Sequence, residues 1–498
     1  MTASSQTTNA AANGQGKVRL TPQHIVSRAP RDGTVLGQVP VATPLQIHSA
    51  MAEARLGQAA WQGIGLERRP LFVKALKDAM YRQRDRFLNT AVAEQGKVFD
   101  EAQLEFLATI ELIEYYMQQA PALLAPEDVP VRLQPQRQFV IEREPYGVVL
   151  VIAPWNYPLL LSMGPIVAAL ITGNSVVYKP SEYATQIGEV FAAVIADAGI
   201  PDEVFHIVHG YGDVGAALIE AGPDRIVFTG SVPTGKKIAA AAAEKLIPVT
   251  LELGGKDAAI VLADADIDHA AGGIVWSGMF NAGQTCASVE RVYVVESAAA
   301  PLINAMKGVI TQALLEHDGS PTASLAAVTT PEQMQVIETQ VQEAVTAGAT
   351  VLIGGQPVEG AAQRYMPTIL TDVSSEMRIC QEETFGPVLL VTPVKSEQEA
   401  IALTNESRFG LTASIWTRDH RRAARIARQL DVGNVSVNEH LMISGVPEMP
   451  WGGVKDSGYG RTKGRTGLLE MTYEKTFNID KKRLPIEVFW YPYTRAKR

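Results

Sequence analysis

The 498-residue sequence holds only two cysteines, Cys286 and Cys380. That scarcity excludes a disulfide framework and fits a reducing, cytoplasmic setting with a thiol free for chemistry. No run of eighteen apolar residues is present, which excludes a membrane-spanning helix. Positive charge is in deficit. Lys and Arg number 44 against 53 Asp and Glu, a net −9, which argues against nucleic acid as a standing partner. Cysteine and histidine nowhere cluster at zinc-ligand spacing, so no metal is expected. The opening MTASSQTTNAAANGQG lacks the basic and apolar segments of a secretory signal and reads as a disordered leader over 1–17.

What is present is ordinary globular composition, 46% hydrophobic and 19% charged. The length exceeds a single core, so two to four domains are expected. From about 46 to 120 apolar residues recur at helical spacing: Ile47, Met51, Ala54 and Leu56, then Leu71, Val73 and Leu76. Arg68, Arg69, Lys77 and Asp78 mark the wet face, and the helical pattern continues through 101–119. Next, Val129, Val131 and Leu133 alternate with Pro130, Arg132 and Gln134, which predicts a strand; residues 139–141 predict a second. The insertion 129–144 is either an oligomerisation arm or a surface hairpin serving its own subunit.

From Tyr146 the rhythm changes. Apolar runs at 147–153, 175–178, 204–208, 225–228 and 249–253 are separated by helical stretches at 159–171, 185–198 and 213–220. Buried runs alternating with amphipathic helices predict a parallel, doubly wound α/β sheet. Such sheets bind ligands beyond the carboxyl ends of their strands, so each following loop is a candidate site.

The first loop is Pro154-Trp155-Asn156-Tyr157-Pro158, where the Asn156 amide can either stabilise an oxyanion or cap the next helix. The second, Lys179-Pro180-Ser181-Glu182, can hold two ribose hydroxyls or simply start a helix. The third spells GxGxxG from Gly210 to Gly215, but it follows a late strand and lacks a well-placed acidic partner. A tight turn near an adenine is the preferred reading there. The fourth places Gly230, Ser231 and Gly235 ahead of a helix over 236–243, either a phosphate-binding turn or a plain strand-to-helix turn. The fifth ends a strand with Glu252 before Gly254-Gly255-Lys256. Its carboxylate is either an acid–base group or the partner of Lys256. Beyond them lies FNAGQTCAS, 280–288. Here Cys286 follows a small, Gly-containing approach beside the Gln284 amide, and is either a nucleophile or a buried small hydrophobe.

Together these pieces resemble the aldehyde dehydrogenase superfamily, of the NAD(P)-dependent hydrolytic type. The likeness runs from about 18 to about 480. It rests on PWNYP (154–158), KPSE (179–182), FTGSVPTG (228–235), ELGGK (252–256), FNAGQTC (280–286), EETFGPV (382–388) and PWGGVKDSGYGR (450–461), in matching order and spacing. The resemblance implies that Cys286 attacks the aldehyde carbon, that Asn156 and the Cys286 N–H hold the oxyanion, and that Glu252 activates the water that releases the acid. It likewise implies that Lys179 and Glu182 clamp the adenosine ribose, Gly230, Ser231 and Gly235 form the pyrophosphate turn, and Glu383 and Phe385 contact the nicotinamide ribose. Trp155 would line the cleft, with Gly210 near the adenine. Glu182 would repel a 2′-phosphate, which favours NAD while leaving NADP possible.

The fold implied is a Rossmann-like cofactor unit (18–128 and 145–253), a second α/β catalytic unit (254–472) and a small β oligomerisation arm (129–144 with 473–498), in a homodimer or homotetramer. The family's pocket-lining stretches correspond to 157–164 and 440–449, which carry no Arg or Lys. That argues against a far carboxylate such as that of succinic semialdehyde. Gly164 stands where many members carry a bulky aromatic, which implies a wide apolar tunnel for medium-chain aliphatic or aromatic aldehydes. Trp451 replaces a commoner Phe, without evident consequence. Cys380 is expected to pack. The tail 483–498 mixes aromatic and basic residues and could touch a membrane surface, roof a neighbour's tunnel or pack on a partner subunit. Two alternatives remain. A CoA-acylating relative is disfavoured by Glu252, and a non-catalytic structural or binding relative by the intact Cys286, Asn156 and Glu252.

Overall fold

The computed structural model describes residues 23–134, 136–312, 325–361, 363–482 and 490–491. The expected leader, and the tail apart from Trp490 and Tyr491, lie outside the described residues.

Five parallel strands, Val148–Ile152, Ser175–Lys179, Phe205–Ile207, Arg225–Thr229 and Val249–Glu252, form the first sheet. Gly458–Tyr459 adds antiparallel beside Val249–Glu252. The apolar runs are continuous because both faces are covered. Val149 and Val151 pack with the helices Arg69–Arg82, Arg84–Gln95, Phe99–Leu123 and Leu160–Thr172. Val148 and Leu150 pack with Pro44–Gly63, Gly212–Glu220 and Val232–Glu244. Chain order reverses between Val148–Ile152 and Arg225–Thr229, which makes their carboxyl ends the switch point where a Rossmann-like sheet takes its ligand.

The second sheet has seven strands. In spatial order they are Thr350–Ile353, Thr368–Thr371, Val388–Val394, Val289–Val295, Asp257–Val261, Thr412–Trp416 and Asn434–Val437, and only the first is antiparallel to its neighbour. Ile267–Met279 and Glu296–Ile310 cover one face; Glu397–Glu406 and His420–Ala427 cover the other. The chain passes from the end of the first sheet into the second through Gly254-Gly255-Lys256. The carboxyl ends of one sheet therefore meet the amino ends of the other.

The small β region departs from the expected strand pair. Residues 129–133 form no strand; the short strand is Glu127–Asp128. Pro130 supplies no N–H, so the alternating stretch cannot continue the ladder. The long strand Arg137–Pro145 instead pairs along its whole length with Thr472–Asp480, from Thr472 opposite Pro145 to Asp480 opposite Arg137. Arg69, expected on the wet face, is buried. Its Nε donates to the Ile171 carbonyl at 2.9 Å and NH1 to the Gln62 carbonyl at 3.2 Å, satisfying acceptors at two helix ends. Leu56 and Leu71, expected in the core, are 77% and 62% exposed, so the apolar stripes of both helices are narrower than their composition suggests. Among the described residues no helix is long and apolar enough to cross a membrane.

Candidate active site

The loop before Val289–Val295 is held in a costly shape. Asn281, Ala282 and Gly283 have φ of 54°, 56° and 71° in succession. Asn tolerates this region and Gly occupies it freely, but Ala does so at about 1–2 kcal/mol. Gly283 lies against the Gly386 carbonyl, where a Cβ has no room. The Gln284 amide is committed to main chain. Its Nε2 donates to the carbonyls of Asn281 and Ala327, both at 2.9 Å, and its Oε1 accepts from Thr329 N–H at 2.8 Å. It is a strut that presents Cys286.

The helix Phe99–Leu123 secures both loops with buried charge, which no sequence pattern had singled out. Glu101 Oε1 accepts the Asn281 N–H at 3.0 Å. Burial pushes the Glu101 carboxyl up to about 7. Glu105 Oε1 accepts the N–H groups of Leu159 and Leu160 at 2.7 and 3.2 Å and so caps the helix Leu160–Thr172. That cap frees Asn156 from the capping role. Glu105 pairs with Lys97 at 2.8 Å, both fully buried, and Lys97 Nζ sits 4.0 Å from the Tyr157 ring centroid. Tyr157 in turn exchanges a 2.6 Å hydrogen bond with Thr285. The spacing of Glu101 and Glu105 was the available signal, since it aligns two carboxylates on one helical face, with Lys97 just ahead of the helix.

Asn156 and Cys286 are brought together by this frame. Asn156 Nδ2 donates to the Gln284 carbonyl at 3.0 Å, and Asn281 Nδ2 donates to the Asn156 carbonyl at 3.1 Å. Cys286 is half-buried in a cluster with Phe280, Ala287, Leu411, Leu441 and Trp451, flanked by Tyr157 and Ile443. Burial pushes its thiol well above the ordinary range, and the carboxyls of Glu383, Glu252 and Asp257 add to the shift. Glu252 is buried at the strand end, and its Oε1 has no hydrogen-bond partner among the described residues. Its pKa is raised well above the carboxylate range by burial, against the opposing charges of Arg461 and Lys463. Lys256 is not its partner. Lys256 forms a buried ion pair with Glu290 and donates to Thr384 Oγ1 at 2.9 Å.

Most of the remaining predicted residues lie on the loops that follow the strands of the first sheet, with Glu383 and Phe385 ahead of the strand Val388–Val394. Trp155 and Phe385 meet edge to face, with centroids 5.6 Å apart. Glu383 Oε1 accepts the Gly255 N–H at 3.0 Å, and burial pushes this carboxyl up to about 8. Lys179 is buried, its Nζ on the Pro180 carbonyl at 3.2 Å, and Gly215 leaves space beside its side chain. The Glu182 carboxylate lies 3.5 Å from Ser181 Oγ. The turn from Gly210 leads into the helix Gly212–Glu220 next to Lys179. The helix after Gly230 starts at Val232, four residues earlier than expected, because Pro233 is suited to a first turn. Ser231 is its N-cap, but its side chain accepts no cap hydrogen bond from the helix N–H groups, and its Oγ pairs with Thr234 Oγ1 at 3.0 Å. Gly235 packs against Leu253, where a larger side chain would clash. A helix N-terminus without a side-chain cap, a buried lysine and an aromatic pair are the kinds of group that suit a dinucleotide.

Two further observations bear on the pocket. A cation does reach the site. Lys463, outside both stretches read as pocket lining, is buried, and its Nζ donates to the Ser444 carbonyl. The room left by Gly164 is partly taken by Leu112, which would lie 3.0 Å from a Cβ there. Trp451, set aside in the sequence, is a buried wall of the Cys286 cluster. Cys380 packs partly buried beside Ile379 and Met377.

The model of the aldehyde dehydrogenase family matches residues 19–477. A 4,4'-diapolycopene aldehyde oxidase of Methylomonas sp is 38% identical over 475 residues, covering 95% of this chain and 89% of that protein. A protein of Mycolicibacterium smegmatis named, provisionally, as a succinate-semialdehyde dehydrogenase [NADP(+)] is 36% identical over 447 residues, covering 89% and 86%. The structure of a Mycobacterium tuberculosis aldehyde dehydrogenase complexed with NAD+ superposes with a TM-score of 0.87 at 31% identity, covering 92% of this chain and 94% of that one. A half-buried cysteine beside an orphaned buried glutamate, at the meeting of two α/β sheets, is thus found in a chain matched along nearly its whole length. The chain belongs to the aldehyde dehydrogenase family, as an NAD(P)-dependent enzyme of the hydrolytic type.

Proposed function

We propose that Cys286 is the nucleophile and that the substrate is a medium-chain aliphatic or aromatic aldehyde. The observation that carries this reading is the apolar, aromatic-walled cluster around Cys286, formed by Phe280, Tyr157, Leu441 and Trp451, with Glu252 buried beside it. The Cys286 sulfur adds to the carbonyl carbon, and the carbonyl oxygen becomes the oxyanion of a thiohemiacetal. The Asn156 amide and the Cys286 N–H stabilise that charge, each worth about 3 kcal/mol. NAD(P), when bound, supplies the acceptor for the hydride leaving the same carbon. A thioester on Cys286 results. Glu252 takes a proton from water, which attacks the thioester and releases the carboxylic acid and the thiol.

Lys179 and Glu182 are assigned to the adenosine ribose, Gly210 to the adenine side, and Gly230, Ser231 and Gly235 to the pyrophosphate. Trp155, Glu383 and Phe385 are assigned to the nicotinamide end. Glu182 favours NAD over NADP, because its carboxylate would meet a 2′-phosphate with like charge. Residues 18–128 with 145–253 serve as the cofactor unit and 254–472 as the catalytic unit. The strand Thr472–Asp480 is largely exposed along an unpaired edge, which supports pairing in a homodimer or homotetramer. Sedimentation should then return a dimer or tetramer mass; a monomer would count against the arm.

A second reading has its own observation. Lys463 brings positive charge to the site and could receive an acidic aldehyde. Initial rates over a panel from acetaldehyde through medium-chain and aromatic aldehydes to succinic semialdehyde, with NAD and NADP in parallel, separate the two. The expected result is the highest kcat/KM for apolar aldehydes with NAD. Best turnover of succinic semialdehyde would replace the apolar reading with the acidic one.

A further inference from the structure

Glu290 lies four residues beyond Cys286, at the start of the strand Val289–Val295, and is 2% exposed. Its carboxylate does more than neutralise Lys256. Oε1 accepts the N–H groups of Thr384 and Phe385 at 3.1 and 3.0 Å. Oε2 accepts the Thr384 N–H at 2.9 Å and the Lys256 ammonium. Hydrogen bonds to an ionised group are about twice as strong as neutral ones.

The segment held in this way is Glu383-Thr384-Phe385. Phe385 has a φ of 51°, a conformation that a bulky side chain rarely adopts and that persists only where the surroundings fix it. The helix Pro331–Thr346 holds the carbonyls of the same segment. Gln333 Nε2 donates to the Thr384 carbonyl at 2.8 Å, and Gln340 Nε2 to the Glu383 carbonyl at 3.2 Å. Glu290 takes the N–H groups. The side chains of the segment reach the site, where Glu383 Oε1 accepts the Gly255 N–H and the Phe385 ring meets Trp155. One buried carboxylate therefore ties the strand that follows Cys286 to the two side chains assigned to the nicotinamide end. Balancing Lys256 occupies Oε2, whereas Oε1 is given wholly to the main chain of a strained turn.

We propose that Glu290 is a positioning residue that fixes Glu383 and Phe385 for the nicotinamide end of the cofactor, in register with Cys286. The inference rests on the assignment of those two residues to that end. A displacement of about 1 Å between reacting groups can cost about a hundredfold in rate, so the turn that faces the nicotinamide needs a rigid anchor.

The test is calorimetric titration of the cofactor-free protein with NAD and with ADP, which lacks the nicotinamide ring and its ribose. Lys256→Met/Glu290→Leu replaces the buried pair with apolar side chains, which folds often tolerate, and removes the acceptor. Its NAD dissociation constant should rise about tenfold, while that for ADP stays within about twofold of wild type. Lys256→Met/Glu290→Gln returns a neutral acceptor of about half the strength and should show a rise of about threefold for NAD alone. NAD affinity unchanged in the Leu pair overturns the proposal. So does equal weakening of NAD and ADP, the mark of a merely structural role. If the Leu pair does not fold, the Gln pair decides by the same two criteria. Phe385→Ala separates this inference from the assignment beneath it. Weakened NAD binding there with none in the Leu pair sinks the role of Glu290 alone, whereas unchanged binding in Phe385→Ala removes the assignment and the proposal with it.

Discussion

Cys286→Ala should lower kcat for aldehyde oxidation by at least about ten-thousandfold, because the variant lacks the thiol that forms the covalent intermediate. Cys380 cannot substitute, since it packs against Ile379 and Met377 in a separate cluster. Truncating one sulfur at a half-buried position costs little stability, on the order of 1 kcal/mol, so the fold should survive. The measurement is initial rates of reduced-cofactor formation together with the urea midpoint of both proteins. Cys380→Ala is the matched control and should retain wild-type turnover. A Cys286→Ala protein that still oxidised aldehydes within tenfold of wild type would place the nucleophile elsewhere.

Glu252→Gln should separate the two halves of the reaction. Attack by Cys286 and loss of hydride remain, while hydrolysis of the thioester loses its base. The expected trace is a rapid burst of about one reduced cofactor per site, then a steady rate lowered about a hundred- to ten-thousandfold. The pH dependence follows from burial. Glu252 has its pKa raised, so it stays protonated, and unable to act as base, to higher pH than an ordinary carboxyl. The wild-type hydrolytic rate should therefore climb with pH beyond the carboxylate range, and the residual rate of the Gln variant should lack that climb. Stopped-flow traces over a pH series check both features. A variant with no burst would mean that Glu252 acts before the thioester forms.

Much of this arrangement is legible in the sequence, for identifiable reasons. The runs at 147–153, 175–178 and 225–228 read as strands because helices cover both faces of the sheet, which removes the need for polar alternation. The loops after them could be placed because a parallel sheet presents its strand ends on one side. The alternation at 129–133 misled because sheet pairing is non-local. The true partner of Arg137–Pro145 is Thr472–Asp480, more than three hundred residues away. Buried charge was the other blind spot. Lys97, Glu101, Glu105 and Arg69 look like surface residues by type, and only their mutual pairing or their bonds to main chain explain their burial. The role of Gln284 was not legible because a side-chain amide does not announce its partners. Lys463 was missed because its direction depends on a left-handed turn that no spacing rule foretells.

The covalent link between Cys286 and the substrate is open to direct capture. Glu252→Gln protein, mixed with an apolar aldehyde and NAD and quenched in acid during the burst, should carry one adduct with the mass of the aldehyde less two hydrogens. Peptide mapping should place it on the peptide containing Cys286, and the Cys380 peptide should be unmodified. An adduct on any other residue, or a burst of reduced cofactor with no adduct on Cys286, would contradict a Cys286 thioester.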